Sequence, residues 1–326
     1  MSNSYAVAGR WHRPLVGLAA VMGLLTLVAL AGLALDDRSI GGSPAWLKPF
    51  KFAVSLGLYA LTLAWLLRFT HRARRTGWWA ATFVALASAG EMVAILIQAV
   101  RGRASHFNVA TPTDALIWNL MGATVMVLWT ASLIVAIVVA VQKDTDPVVR
   151  SAARLGFAIS LAGMALGFLM TSPTAAQEEA LDSKTATMIG AHSVGVADGG
   201  PAMPVTGWAT TGGDLRIPHF TGIHALQVLP LLALLLAVVA ANRPAKTRRN
   251  VVRVAAAGYA GLVAILTWQA LRGQPLLQPD LKTLAALGGL AVLTYAGVAL
   301  ALRKRYADGE PSQERTSLAS SSVNGI

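Results

Sequence analysis

Eight long apolar stretches alternate with short polar connections along the chain, at residues 14–35, 50–69, 78–100, 116–141, 151–171, 220–241, 251–271 and 283–302. Each is about 20 residues or more, the length a helix needs to cross a bilayer core. None shows the strict alternation of a half-buried strand. The stretches are apolar on every face, as helices surrounded by lipid and by one another must be. The pattern predicts an all-α fold: a polytopic membrane helix bundle of about eight transmembrane helices.

The connections alternate in charge. Arg10 and Arg13, the Arg72-Ala73-Arg74-Arg75 turn, Lys143 to Arg154, Arg243 to Arg253 and Arg303-Lys304-Arg305 all fall on one side. The opposite side is close to neutral. By the positive-inside rule the basic side faces the cytoplasm, which places both termini there and the chain in the cell (plasma) membrane as a multi-pass protein. The formal net charge of +12 is therefore read as a topology signal, and no nucleic-acid partner is expected. The first stretch is too long for the apolar core of a signal peptide and is read as a retained helix.

Composition agrees with this reading. Of 326 residues, 55% are hydrophobic and only 13% charged, against roughly 25% charged in an ordinary soluble protein. Mean hydropathy is +0.57. There is no cysteine, which removes thiolate metal sites, iron–sulfur clusters and cysteine nucleophiles. The expected organisation is a bundle over residues 1–305, with the 172–217 loop as an outer lid, and a polar, Ser-rich 306–326 tail that is disordered and cytoplasmic. Gly163 and Gly167 form a Gly-x-x-x-Gly pair, which suits close helix packing within the chain or a homodimer face.

Chemical capacity collects on the outer side. Glu91 lies inside the third apolar stretch, about 13 Å below its outer end at 1.5 Å per residue. An ionised carboxylate there is costly, so it is expected to be protonated, paired or facing an aqueous cavity. Gln98, seven residues on, shares its face. The segment from Arg101 through Arg103, His106, Asn108 and Thr111 to Asp114 is dense in hydrogen-bonding groups, and Trp118 and Asn119 carry that polarity into the fourth helix. Thr113 or Asp114 is the expected cap of that helix.

A second cluster runs from Asp214 and Arg216 through Pro218, His219, Phe220 and His224 to Gln227. A helix starting near Pro218 would align Phe220, His224 and Gln227 on one face. His219 and His224 are five residues apart, a spacing that cannot chelate one ion as a His-x-x-x-His pair would; no metal site is expected, although histidines from different segments with Glu91 or Asp114 could still form one. Lys48 and Lys51 open the second helix from the outer side, against its dipole. They would reach headgroups or neutralise an anionic ligand.

A buried acid, hydrogen-bonding neighbours and an aromatic mouth suit acid/base chemistry on a lipophilic substrate. The expected catalytic residues are Glu91, Asp114, His106 and His224. The expected substrate-binding residues are Lys51, Arg103, Asn108, Trp118, His219, Phe220 and Gln227. In its eight-span layout and isolated Glu and Asp, the chain resembles small bacterial multi-pass membrane proteins that include membrane-bound terpene cyclases of meroterpenoid and indole-terpene type. The resemblance implies an enzyme that cyclises an isoprenoid substrate by protonation, with no cofactor and with the lipid bilayer as its surroundings. His106-Phe107-Asn108 and Pro218-His219-Phe220 also look like segments of widespread, uncharacterised bacterial membrane proteins, which does not point to a single specialised role. Two further readings stay open: a redox protein binding haem or quinone through His and Glu, and a transporter relaying protons through Glu91.

Overall fold

The computed structural model describes residues 10–303, and the expected tail from 306 onward lies outside them. Within that range the chain is an all-α bundle with eight helices long and apolar enough to cross a membrane. They are α1 (Arg13–Leu35), α2 (Leu47–Leu67), α3 (Arg74–Val100), α4 (Pro112–Ala140), α5 (Pro147–Ala165), α7 (Arg216–Val239), α8 (Ala245–Leu271) and α9 (Leu281–Arg303). A 3-10 turn, Leu166–Thr171, prolongs α5, and a short helix α6 (Ala175–Asp182) lies in the connection after it. Successive crossings place the basic turns at one end, called here the basic end, and the 36–46, 101–111, 172–215 and 272–280 connections at the loop end.

Most helices start before their apolar stretch does. Helix α2 includes Lys48 and Lys51, α5 begins at Pro147, and α8 takes in Arg248 and Arg249. Hydropathy marks only the part that needs lipid, whereas a helix continues into the interface wherever long cationic side chains can reach water. The caps follow the prolines. Asp146, ahead of Pro147, accepts from Val148 N at 2.8 Å and Val149 N at 3.1 Å. Thr111, ahead of Pro112, is the cap of α4, where Thr113 or Asp114 was expected. Proline fixes the first helical residue and so makes the residue before it the cap.

Helices α1–α4 form one packed group, and α5, α7, α8 and α9 a second. They are joined where α4 meets α5 and α2 meets α7. The tightest seam is α5 on α7. A Cβ built on Gly163 would stand 2.5 Å from the backbone of Gly222, and one on Gly222 would stand equally close to Gly163. Gly167 in turn lies under the His219 ring. Both members of the Gly-x-x-x-Gly pair therefore pack against α7 of the same chain, the first of the two readings of the pair. Small residues are needed here because only backbone-to-backbone approach brings these two helices into full van der Waals contact.

The long connection closes the loop end. Its strands β3 (Ser193–Val194) and β4 (Gly213–Asp214) pair antiparallel, as β1 (Ser39–Ile40) and β2 (Ser43–Pro44) do in the first connection. It docks on the α3–α4 turn through Val109 N to Thr187 O at 2.9 Å and Ile189 N to Phe107 O at 2.8 Å. Lys51 Nζ donates to Thr206 O at 2.7 Å, and Gly213 packs against the Ala270 carbonyl of α8. One segment thus ties together the loop ends of α2, α3, α4 and α8.

Candidate functional site at the loop end

Glu91 is 2% exposed, in the interior between α3 and α4. Thr124 Oγ1 of α4 donates to its Oε1, and the hydroxyl also donates to Met121 O at 2.9 Å. Oε2 has no partner. One turn away on the same face, the Ser88 hydroxyl is also buried and unpartnered. Leaving a buried polar atom unmade costs about 1–3 kcal/mol, so the two together are a costly feature of this helix face.

Lys48, near the loop end of α2, lies within electrostatic reach of Glu91, and the groups around it are called here the mouth. Lys48 is half-buried, and its ammonium makes no hydrogen bond or ion pair among the described residues. It lies within electrostatic reach of Glu91, Asp198, Arg216 and Lys51, and its charge acts on His106 and His192 as well. The neighbouring cations are each anchored. Lys51 holds the Thr206 carbonyl, and Arg216 pairs with the buried Asp214, Nη2 to Oδ2 at 2.5 Å, and donates to Gly207 O at 2.6 Å. Lys48 alone presents an uncommitted positive charge.

The Lys48 charge acts on His106 and His192, and His106 in turn packs among three aromatic rings. The His106 ring lies 5.7 Å from Trp118, 5.8 Å from Phe52 and 6.1 Å from Phe107 between centroids. Phe107 stacks edge-on with Trp118 at 5.2 Å and His192 at 4.9 Å. Burial holds His106 well below the ordinary histidine range, and the charges of Lys48, His192 and His219 push the same way. It is therefore neutral at pH 7, with Nδ1 3.1 Å from Ser105 Oγ. His192 is also shifted down by burial, against the opposing effect of Asp198, whose Oδ2 is 2.8 Å from its Nδ1. Phe107, buried and with a bulky side chain, sits at φ 64. That is a strained conformation for such a residue, and strain of this kind gathers at functional positions.

The expected site residues divide between this mouth and other tasks. Glu91, His106, Trp118 and Lys51 belong to it or border it. Asp114 does not: Gln98 Nε2 at 3.0 Å and Arg101 Nη1 at 2.9 Å donate to its Oδ1, while Thr111 Oγ1 at 2.7 Å and Arg103 at 4.0 Å engage Oδ2. It is a saturated anion that locks the α3–α4 turn. Arg103 and Gln98 are absorbed in the same cluster, so the polar face of α3 splits into two separate sites. Asn108 folds its own turn, donating to Ala104 O and accepting from Ala110 N, each at 3.1 Å.

His219 Nδ1 lies 2.8 Å from Gly163 O and its ring is 5.6 Å from Phe220, so it fastens α7 to α5 while bordering the mouth electrostatically. His224 Nδ1 is 3.2 Å from Gln227 Oε1, the alignment expected for that helix face, and Gln227 Nε2 is buried without a partner. No hydrogen bond, ion pair or ring contact joins His224 to Glu91 among the described residues. Two contributors are new with the structure: Ser88 beside Glu91, and the His192–Asp198 pair. Lys48 stood out in the sequence at the start of the second helix, and the fold adds its nearness to Glu91 and its lack of a partner among the described residues. Among the described residues no group of three or more His, Asp or Glu side chains comes together as a metal-holding set. No family model, curated protein or solved structure matches this chain.

Proposed function

We propose that this membrane protein is an enzyme acting by acid/base chemistry on a lipophilic, isoprenoid-type substrate that carries a polar or anionic head. Glu91 transfers the proton through its unpartnered Oε2, and Lys48 receives the head. The observation that carries this reading is the pairing of an orphaned carboxyl oxygen with an uncommitted ammonium under one mouth. Each is costly for folding alone, and a ligand bridging them would offset both costs. Neutral His106, framed by Phe52, Phe107 and Trp118, suits it as a second hydrogen-bonding group over an apolar tail.

Protonation-driven terpene cyclisation is the specific version implied by the family resemblance. The ammonium of Lys48 constrains it, because a developing carbocation must form away from that charge and toward the aromatic rings. Asp114 is assigned a positioning role through the α3–α4 turn. The 172–217 connection serves as the lid, and the mouth faces away from the cytoplasm.

Steady-state turnover of head-bearing isoprenoids by Glu91→Gln and Lys48→Met tests the proposal. The first should lower turnover by the roughly 10²–10⁴-fold associated with losing a general acid. The second should raise KM more than it lowers kcat, and should leave the protein as stable or more so, because an unpaired charge has gone. Turnover by Glu91→Gln near the wild-type rate would reject the assignment. A quinone site is the second reading, favoured by the grouping of Lys48, His106 and His192 around aromatic rings, where two carbonyl oxygens could be bound. Organic extraction of the purified protein followed by absorption spectroscopy distinguishes it, since a stoichiometric quinone would replace the acid/base assignment.

A further inference from the structure

At the basic end, far from the mouth, α5 and α8 diverge around a groove of about 550 Å³. We propose that this groove binds an anionic phospholipid, its phosphate held by Arg150, Arg154, Arg249 and Arg253 and an acyl chain lying along Leu155 and Ile159.

The four arginines line the groove as two facing i, i+4 pairs, one on each helix. Like charges at that spacing destabilise a helix, so their placement is not explained by helix stability. No carboxylate pairs with any of them among the described residues. Asp146, the nearest acid in sequence, is committed to capping α5. Arg150 donates through one nitrogen to Lys143 O in the α4–α5 connection and Arg154 to Ala140 O at the end of α4, which satisfies a donor on each but supplies no net negative charge. Arg249 Nε is buried with no partner at all. Guanidinium groups are forks that match phosphate oxygens two at a time.

The depth argues for a lipid rather than a free anion. Arg150 and Arg249 lie one turn into their helices, and Arg154 and Arg253 one turn further, about 10–12 Å from the helix starts at 1.5 Å per residue. Below them the lining turns apolar, with Leu155, Ile159 and Ala260. A charged rim over an apolar floor, between helices at the basic side of a membrane protein, has the shape and polarity of a phospholipid.

The full chain in nanodiscs of equimolar phosphatidylglycerol and phosphatidylcholine, extracted into mild detergent and weighed by native mass spectrometry, tests this. Retained phosphatidylglycerol should exceed phosphatidylcholine by at least about tenfold. The exposed pair Arg154→Gln with Arg253→Gln should bring the ratio near parity, whereas Arg72→Gln with Arg74→Gln, elsewhere at the basic end, should not. Ala257→Trp fills the groove and keeps every charge, so it too should abolish retention, and it serves if the arginine variant fails to fold. Equal retention of both lipids by the wild type, or an unchanged ratio in Ala257→Trp, would overturn the proposal. Displacement of phosphatidylglycerol by millimolar inorganic phosphate would do the same, and would make the groove a site for a soluble anion.

Discussion

Thr124 on α4 grips one oxygen of Glu91 on α3 and leaves the other free. A carboxyl group held at one oxygen has a fixed direction, so the second oxygen points at a defined place without being consumed. Thr124→Val keeps the shape and removes the hydroxyl. Loss of one such hydrogen bond costs about 1–1.5 kcal/mol of stability, so unfolding should shift down by a few degrees, and turnover should fall by less than for Glu91→Gln. A large loss of stability with intact turnover would make Thr124 a packing residue.

Asp114 shows that a buried carboxylate need not be an available one. It is 1% exposed, as interior as Glu91, but all of its capacity is taken by Gln98, Thr111 and the two arginines. Asp114→Asn should cost about 1–3 kcal/mol in unfolding, because the bonds to a charged acceptor weaken. Turnover per folded molecule should change less than about threefold. A fall matching that of Glu91→Gln, in a protein of unchanged stability, would return Asp114 to the catalytic set.

Gly163→Ala should break the α5–α7 seam. The added Cβ would meet the Gly222 backbone at 2.5 Å, where no flexible side chain can give way. Overpacking of a tight core costs about 1–3 kcal/mol, and here it also displaces the His219 to Gly163 bond. Thermal unfolding in detergent should show the loss. Alanine at Gly17 or Gly23 of α1, which have open space around them, should be tolerated.

Acid should loosen the loop end first. His106 and His192 are held below their ordinary value of 6.5 in the folded protein, chiefly by burial. Their neutral forms are favoured by folding, so that contribution is complete above about pH 6.5. It is lost as pH falls from there toward the folded values, at up to about 1.4 kcal/mol per pH unit for each proton taken up. Asp198, lowered through His192 and Ser193 despite its burial, contributes above its ordinary 3.8 and fails only at lower pH. Amide exchange in residues 187–194 and 205–215 should therefore speed up between pH 7 and pH 5 and stay constant between pH 7 and pH 8.5. His192→Gln should blunt the response.

The eight helices, their order and their alternating ends were legible because lipid imposes one local rule: about 20 apolar residues per crossing, with charges at the borders. The same rule singled out Glu91, since a lone carboxylate in such a stretch must turn inward. The roles of individual polar residues obey no local rule. Asp114 lies in the same dense segment as His106, yet a capping threonine and two arginines close it into a separate cluster. Lys48 and Lys51 stand on one helix face, and only the fold of a segment 155 residues away gives Lys51 a carbonyl while leaving Lys48 without one. Gly163 and Gly167 declared a close approach, but not that Gly222 and His219 would supply it. Hydropathy is a property of each stretch by itself. Helix rotation, and the path of a long connection over the bundle, depend on packing between residues far apart in the chain, and these decided which polar groups were satisfied and which were left without a partner.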